Sequence, residues 1–177
     1  MSALPPPEFS RKVDIREIGD KPVRLSANAG ECAALARRFG IVAVLRLEAE
    51  VSLEPKGQMV EATGSFTADI LQSCAISAED LALRIVEPLL LRFVPARAIK
   101  RVEPEIELAV DDCEEVEYTG TAFDLGEEVA QSLAVAIDPF VVGPMADEAR
   151  RSAGLLDQDS SGPFAALARL KDKKPEF

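Results

Sequence analysis

The stretch LRLEAEVSLEPKGQMVEATGSFTADI, residues 45–70, decides the fold expected for this chain. Apolar and polar residues alternate from Leu45 to Leu53 and again from Val60 to Ile70. Such alternation is typical of a strand with one face against a core and the other in water. The segment EPKGQ between the two halves contains the proline and glycine that turns favour. The sequence therefore predicts a long antiparallel β-hairpin, with Leu45 on its buried face.

A third apolar run follows the hairpin, and its residues on one face are Leu81, Leu83, Ile85, Leu89, Leu91 and Phe93. Arg84 and Arg92 fall on the opposite face of this predicted strand. Glu87 interrupts the apolar face next to Pro88, which has no N–H to donate to a sheet. We expect a bulge or a sheet edge there, so that Glu87 escapes burial.

Two segments have helical spacing. The first begins at Asn28, which forms a predicted capping pair with Glu31, and ends at Gly40. Cys32 lies on its apolar stripe, so we expect a core thiol there. In the second, Asp124 with Glu127 has the same capping spacing, and Pro139 ends the helix, whose stripe comprises Leu125, Val129, Leu133, Ala136 and Ile137.

The remaining segments are polar. Residues 103–117 contain eight acids and no base, so we expect an extended, solvated segment. Residues 143–162 have weak hydrophobic order and are predicted to be a mobile connector before a short C-terminal helix from Pro163. That helix either packs on the sheet or binds a partner. We expect one α+β domain over residues 1–177: an antiparallel meander sheet, open or barrel-like, covered by two or three helices.

Composition excludes several function classes. The chain of 177 residues contains no histidine, which removes the usual general base and a common zinc ligand. Its net charge is −11, the wrong sign for wrapping nucleic acid. Residues 1–102 have a net charge of +1 and residues 103–177 of −12, so only the first part leaves room for basic patches. The glycines are scattered, without phosphate-loop spacing.

Metal binding and export are also disfavoured. The acidic segment contains no glycine for the tight turn of a calcium loop. Cys32, Cys74 and Cys113 are too widely spaced to form a short pair, and a sparse, odd count suits the reducing cytosol. The start MSALPPPEFSRKVD lacks the apolar core of a secretory signal. We expect a cytoplasmic protein without a metal, a cofactor or a membrane-spanning segment.

The order of a long hairpin, a cysteine-bearing turn, an acidic stretch, FDLGEEVAQSLAVAIDP and a terminal GPFAALARLK resembles the YceD family of bacteria and plastids, the large ribosomal RNA subunit accumulation proteins. The resemblance covers nearly the whole chain. Its most specific positions are Asp124 and Leu125, and in the terminal motif Pro163, Phe164, Leu167, Leu170 and Lys171. It implies a non-enzymatic role in the accumulation of large-subunit ribosomal RNA, through assembly of the large ribosomal subunit.

The resemblance also bears on the cysteine turn. Many members of that family have Cys-x-x-Cys there, whereas this chain has Leu71 at the first position and only Cys74 at the second. One thiolate cannot supply the four ligands of a structural zinc site, so we expect a metal-free protein.

Three functions remain open from the sequence. The first is an adaptor for ribosomal RNA, a basic ribosomal protein or both. Its candidate RNA-facing residues are Arg84, Arg92, Arg97, Lys100 and Arg101, and its candidate partner-docking residues are Pro163, Phe164, Leu167 and Leu170. The alternative for the same arginines is a solvated sheet face paired with nearby acids, and the residues alone slightly favour this alternative. The second is a β-barrel or sandwich binding a small apolar ligand, and the third, an enzyme, is least favoured.

Overall fold

The computed structural model describes residues 7–96 and 114–155. In these ranges the strands are β1 (Lys12–Asp14), β2 (Val23–Ser26), β3 (Ala43–Lys56), β4 (Met59–Ser73), β5 (Asp80–Pro95), β6 (Glu114–Tyr118) and β7 (Ala122–Asp124). The α-helices are α1 (Ala29–Phe39), α2 (Leu125–Ala136) and α3 (Ala146–Ser152), and Ile15–Glu17 forms one turn of 3₁₀-helix.

Five strands form one sheet in the order β2-β3-β4-β5-β6, and β1 pairs with β7 in a small second sheet. The pairs β2–β3 and β3–β4 are antiparallel, whereas β6 runs parallel to β5. The predicted α+β fold with a meander sheet is therefore confirmed. In the described part of the chain the sheet is open, with β2 and β6 at its two ends, so the barrel-like alternative is wrong.

The predicted hairpin is β3 and β4, which pair from Ala43 to Lys56. The prediction for Leu45 was wrong, because the register shifts between Val44 and Arg46. Val44 takes the buried position, and Leu45 is 62% exposed. Further along, a Cβ atom added at Gly64 would lie 2.0 Å from the carbonyl oxygen of Glu50 on the paired strand. The hairpin therefore requires glycine at that position.

Both predicted helix caps are confirmed. The Asn28 side chain accepts a hydrogen bond from the Glu31 N–H, and the Glu31 carboxylate accepts one from the Asn28 N–H. Gly40 ends α1 in the left-handed region, with φ 66°. Asp124 caps α2 by accepting a hydrogen bond from the Glu127 N–H. These local signals fix where the two helices begin, because each satisfies N–H groups that have no partner inside the helix.

The chain divides into two compact units. In the described ranges the first unit comprises residues 7–71 and 82–137, apart from 97–113. In its core, α1 and α2 contribute residues that include Cys32, Leu35, Leu125, Val129 and Leu133, packed with the inner face of the sheet. The Phe93 and Phe123 rings stack with centroids 3.9 Å apart. Cys32 is buried as predicted.

The second unit comprises residues 72–81 and 138–155 in the described ranges. It contains the turn after Cys74 and the helix α3. The helix lies within residues 143–162, so the prediction of a connector was wrong for Ala146–Ser152. The acidic residues 103–113 and the C-terminal segment from Pro163 lie outside the described residues, whereas Glu114–Tyr118 is a strand. The prediction of a single domain stays a prediction.

Candidate functional site

The outer face of the five-stranded sheet, opposite the core, is one candidate surface in the first unit. Strand register places alternate residues of β2 to β6 on this face, and Glu48, Glu50, Thr63 and Ser65 are exposed there. In the described part of the chain its basic residues are Arg24, Arg46, Lys56, Arg84 and Arg92, and its acidic residues are Glu48, Glu50, Glu54, Glu61, Asp69, Glu115 and Glu117. Carboxylates therefore outnumber cations on it.

The two described arginines of the predicted RNA-facing set lie on this face as expected, and both are paired. The Arg84 Nε atom lies 3.9 Å from the Asp69 carboxylate. Arg92 lies 3.4 Å from Glu115 and 3.9 Å from Glu61. These are the pairs with nearby acids that the sequence left as an alternative. Each exposed pair adds little stability, but together they make the face a mosaic of both signs.

Stronger pairs on the same face involve the neighbouring cations. Arg46 contacts Asp69 at 2.8 Å and Glu48 at 3.3 Å. The Lys56 ammonium lies 2.6 Å from the Glu61 carboxylate. The hydrogen bond from Lys56 lowers the pKa of Glu61, and the same bond raises the pKa of Lys56. Because Arg92 and Lys56 share Glu61, these two cations belong to one cluster, whereas Arg46 pairs with Asp69.

The other predicted site residues lie outside the described residues. Arg97, Lys100 and Arg101 of the basic run belong to this group, as do the docking residues Pro163, Phe164, Leu167 and Leu170. The structure therefore brings together only Arg84 and Arg92 of the predicted RNA-facing set.

In the second unit, Cys74 begins a tight turn. Its sulfur accepts hydrogen bonds from the N–H groups of Ile76 (3.4 Å), Ser77 (3.4 Å) and Gly143 (3.2 Å). The Ser77 hydrogen bonds, followed by those of Gly143 and Ile76, lower the pKa of the Cys74 thiol to about 7. Glu79 closes the turn by accepting a hydrogen bond from the Met145 N–H. The turn thus stabilises a thiolate, although the Cys74 side chain is buried.

Cys74 and Cys32 are free thiols. Within residues 7–96 and 114–155, no group of three or more His, Cys, Asp or Glu side chains is placed to hold a metal ion. Cys113 lies outside these ranges. The described residues therefore offer no metal centre around the cysteine turn.

A cleft of about 300 Å³ opens in the first unit on the core side of the sheet, along α2 from Glu128 in its first turn to Ala136 at its end. Three glutamates from different elements line it: Glu87 of β5, Glu114 of β6 and Glu128 of α2. Its other lining residues are Phe66, Pro88, Gln131, Ser132, Val135 and Ala136. We call it the acidic cleft. Glu87 is exposed within it, as the sequence predicted.

Glu128 is partly buried in the acidic cleft and faces other acids. Burial, and then the negative charges of Glu114, Glu127 and Asp124, raise the pKa of Glu128 to about 7. Its neighbour Glu127 is paired instead, at 2.7 Å, with Arg38. Two successive carboxylates on α2 therefore have opposite surroundings, one compensated by a guanidinium and the other facing further acids.

Sequence reasoning identified Glu87 as an exception on an apolar face but missed Glu114 and Glu128. Glu114 lies within a run of eight acids, which made it resemble a solvated residue. Glu128 lies next to the predicted capping residue Glu127. No local pattern signals that these residues meet, because the parallel pairing of β6 with β5 brings Glu114 to this point.

Comparisons with protein-family models, curated proteins and solved structures give no match for this chain. Within the described residues, no helix has both the length and the apolar character needed to cross a membrane.

Proposed function

We propose that this protein is a cytoplasmic, non-enzymatic assembly factor that supports accumulation of large-subunit ribosomal RNA. It acts as an adaptor that binds a basic ribosomal protein, ribosomal RNA or both. The ribosomal context rests on the YceD-like motifs of the sequence. Of the two kinds of partner, the geometry favours the basic protein.

One observation supports the protein partner: the outer face is broad and open, and acids outnumber bases on its described part. Such a mosaic repels an approaching phosphate backbone at most points. It attracts a lysine-rich polypeptide, whose cations can replace or extend the existing pairs. The net charge of −11 acts in the same direction at longer range.

Direct RNA contact has narrower support. Arg84 is 64% exposed at its side chain and only loosely paired, so its guanidinium can turn towards a phosphate. Arg92 shares two carboxylates and is held more firmly. A phosphate contact through these residues must first compete with Asp69, Glu61 and Glu115. We therefore propose RNA as a secondary partner.

Binding of a small apolar ligand is less well supported. That function requires an enclosed apolar cavity, such as the interior of a barrel. The described sheet is open. The acidic cleft has three glutamates in its lining, and a second cleft, of about 370 Å³ on the outer face, is lined mainly by polar and charged residues of β2, β3 and β4.

Affinity purification from cells, with protein and RNA both identified, tests the proposal. We expect a basic large-subunit ribosomal protein among the specific partners and reduced large-subunit ribosomal RNA after depletion. Normal ribosome content in depleted cells, or turnover of a substrate by the pure protein, would contradict it.

The two kinds of partner are separated by a salt titration of binding to ribosomal RNA fragments. Direct phosphate contact gives an affinity that falls steeply with salt, and Arg84→Ala with Arg92→Ala should then reduce the slope by about two. Arg24→Ala is the matched control, because Arg24 is exposed on the same face and also paired, with Glu50 at 2.9 Å. An unchanged slope in the double variant excludes phosphate contact through these two arginines.

A further inference from the structure

We propose that the acidic cleft is the docking site for a polypeptide segment of a partner protein in which an apolar side chain stands next to lysine or arginine. This inference deepens the proposed function and rests on the proposal that the chain binds a protein partner. It gives that partner a second binding surface, distinct from the outer face and on the core side of the sheet.

The apolar part of the site comes from the end of α2 and the sheet. Phe66 and Ala136 line the cleft, and Pro88 adds apolar surface from β5. Val135, in the last turn of α2, is 88% exposed. A volume of about 300 Å³ is at the lower end of the range of ligand pockets, which extends from about 300 to 1,000 Å³. The cleft therefore suits one or two side chains of a segment and not a whole domain.

The charge of the cleft selects a cationic neighbour for that apolar side chain. Glu87, Glu114 and Glu128 line it, and no lysine or arginine is among its described lining residues. Among residues 7–96 and 114–155, no lysine or arginine forms an ion pair with these three carboxylates. Acids elsewhere in the same unit differ, since Glu31 binds Arg11 and Glu127 binds Arg38.

The end of α2 adds to this preference. Its last turn contains no basic residue, and the C-terminal end of a helix bears partial negative charge. Burial and neighbouring acids raise the pKa of Glu128 to about 7, and none of the described lining residues is a cation that could compensate it. A lysine or arginine bound near the end of α2 would be attracted by the helix terminus and by the carboxylates of the cleft. The apolar anchor beside it would cover Val135, because Phe66 is already buried.

A short labelled peptide tests this proposal with the purified full chain. The probe is a fluorescein-labelled peptide, Lys-Lys-Leu-Phe-Lys-Lys, whose binding is measured by fluorescence anisotropy. We expect Glu87→Gln, Glu114→Gln and Glu128→Gln together to weaken binding at least about tenfold. The matched control replaces three exposed acids that belong to neither the acidic cleft nor the outer face, Glu17→Gln, Asp20→Asn and Glu148→Gln, and should change the affinity less than about twofold. Circular dichroism checks that both variants are folded.

The apolar anchor is tested separately. Val135→Ser should weaken binding of the probe at least about threefold, because it removes exposed apolar surface at the cleft. Val86→Ser is the control, since Val86 is 59% exposed on the outer face. In a second peptide, serine replaces both the leucine and the phenylalanine. The wild type should bind this second peptide as weakly as the triple variant Glu87→Gln, Glu114→Gln, Glu128→Gln (the cleft variant) binds the first.

Three results overturn the proposal: equal affinity for wild type and the cleft variant, equal losses in the two triple variants, or undetectable binding by wild type. A fourth result would also overturn the proposal, by showing that the cleft is filled by the basic run of this chain, Arg97, Lys100 and Arg101. If Arg97→Ala, Lys100→Ala and Arg101→Ala together tighten peptide binding at least about tenfold, that run and not a partner fills the cleft. These outcomes are independent of the ribosomal proposal, which fails only if depleted cells keep normal ribosomes or the pure protein turns over a substrate.

Discussion

Gly126, in the first turn of α2, lies against the backbone of Phe9: a Cβ atom added at Gly126 would stand 2.5 Å from the Phe9 carbonyl oxygen. The same added atom would lie 2.8 Å from the backbone nitrogen of Arg11. Phe9 itself is fully buried. The start of α2 and the N-terminal segment are thus fitted together at the backbone, which explains a glycine inside a helix.

Gly126→Ala should therefore destabilise the protein by at least about 2 kcal/mol, because the two atoms nearest to the methyl group are backbone atoms, which cannot move aside cheaply. Without this contact, alanine in a helix would be favoured over glycine. Urea unfolding followed by circular dichroism measures the difference. The control is Gly19→Ala, where the added atom meets nothing within 4 Å and a change of less than about 0.5 kcal/mol is expected. A stabilised Gly126→Ala protein would show that the segment does not pack as described.

Asp124 holds the same junction through its carboxylate. One oxygen accepts hydrogen bonds from the N–H groups of Arg11 (2.7 Å) and Glu127 (3.2 Å), and the other accepts one from the Ser10 hydroxyl. Asp124→Ala should cost about 2 to 3 kcal/mol, since it removes the helix cap and leaves a partly buried N–H unsatisfied. Asp124→Asn keeps one acceptor oxygen and should lose less than half as much. Equal losses of stability in the Asp124→Ala and Asp124→Asn variants would contradict this prediction.

Much of the fold followed from local patterns. Alternation predicted β3, β4 and β5, and capping residues at Asn28 and Asp124 predicted where both long helices begin. These signals act within a few residues, so the sequence displays them directly. Leu45 was misplaced because a register shift of one residue reverses which side chains face the core. Nothing local indicated that shift.

The candidate site was less predictable, because its members are distant in the sequence. The parallel pairing of β6 with β5 joins Glu114 to Leu91, and it has no local signature. The acidic cleft depends on that pairing. Similarly, Cys74 was identified as a lone thiol, but the N–H of Gly143, 69 positions away, was not foreseen as a donor to its sulfur.

The Cys74 turn gives a prediction for the thiol itself. Hydrogen bonds from Ser77 and backbone N–H groups stabilise the anion, so the pKa of Cys74 falls from the ordinary value near 9 to about 7. In a variant with Cys32→Ala and Cys113→Ala, ultraviolet absorbance of the thiolate should therefore rise with a midpoint near pH 7. Adding Ser77→Ala should move that midpoint upwards. A midpoint near 9 in the first variant would show that the N–H groups do not act on the sulfur.

Glu128 should make stability depend on pH in the opposite sense to a paired acid. Its folded pKa, about 7, exceeds the ordinary value of 4.5, so the folded state holds its proton more tightly than the unfolded chain. Stability is therefore greatest, as far as Glu128 contributes, below about pH 4.5, and falls as pH rises through 7. Glu128→Gln removes this loss and should be more stable than wild type by about 1 kcal/mol at pH 8, after allowance for solvent screening. The free energies of unfolding of the two proteins should converge near pH 4.5 in urea unfolding experiments.

Glu54→Gln, an exposed control, should change stability by less than about 0.5 kcal/mol at either pH. A Glu128→Gln protein that is less stable than wild type at pH 8 would mean that the carboxylate has a cationic partner, in which case the acidic cleft would already be compensated.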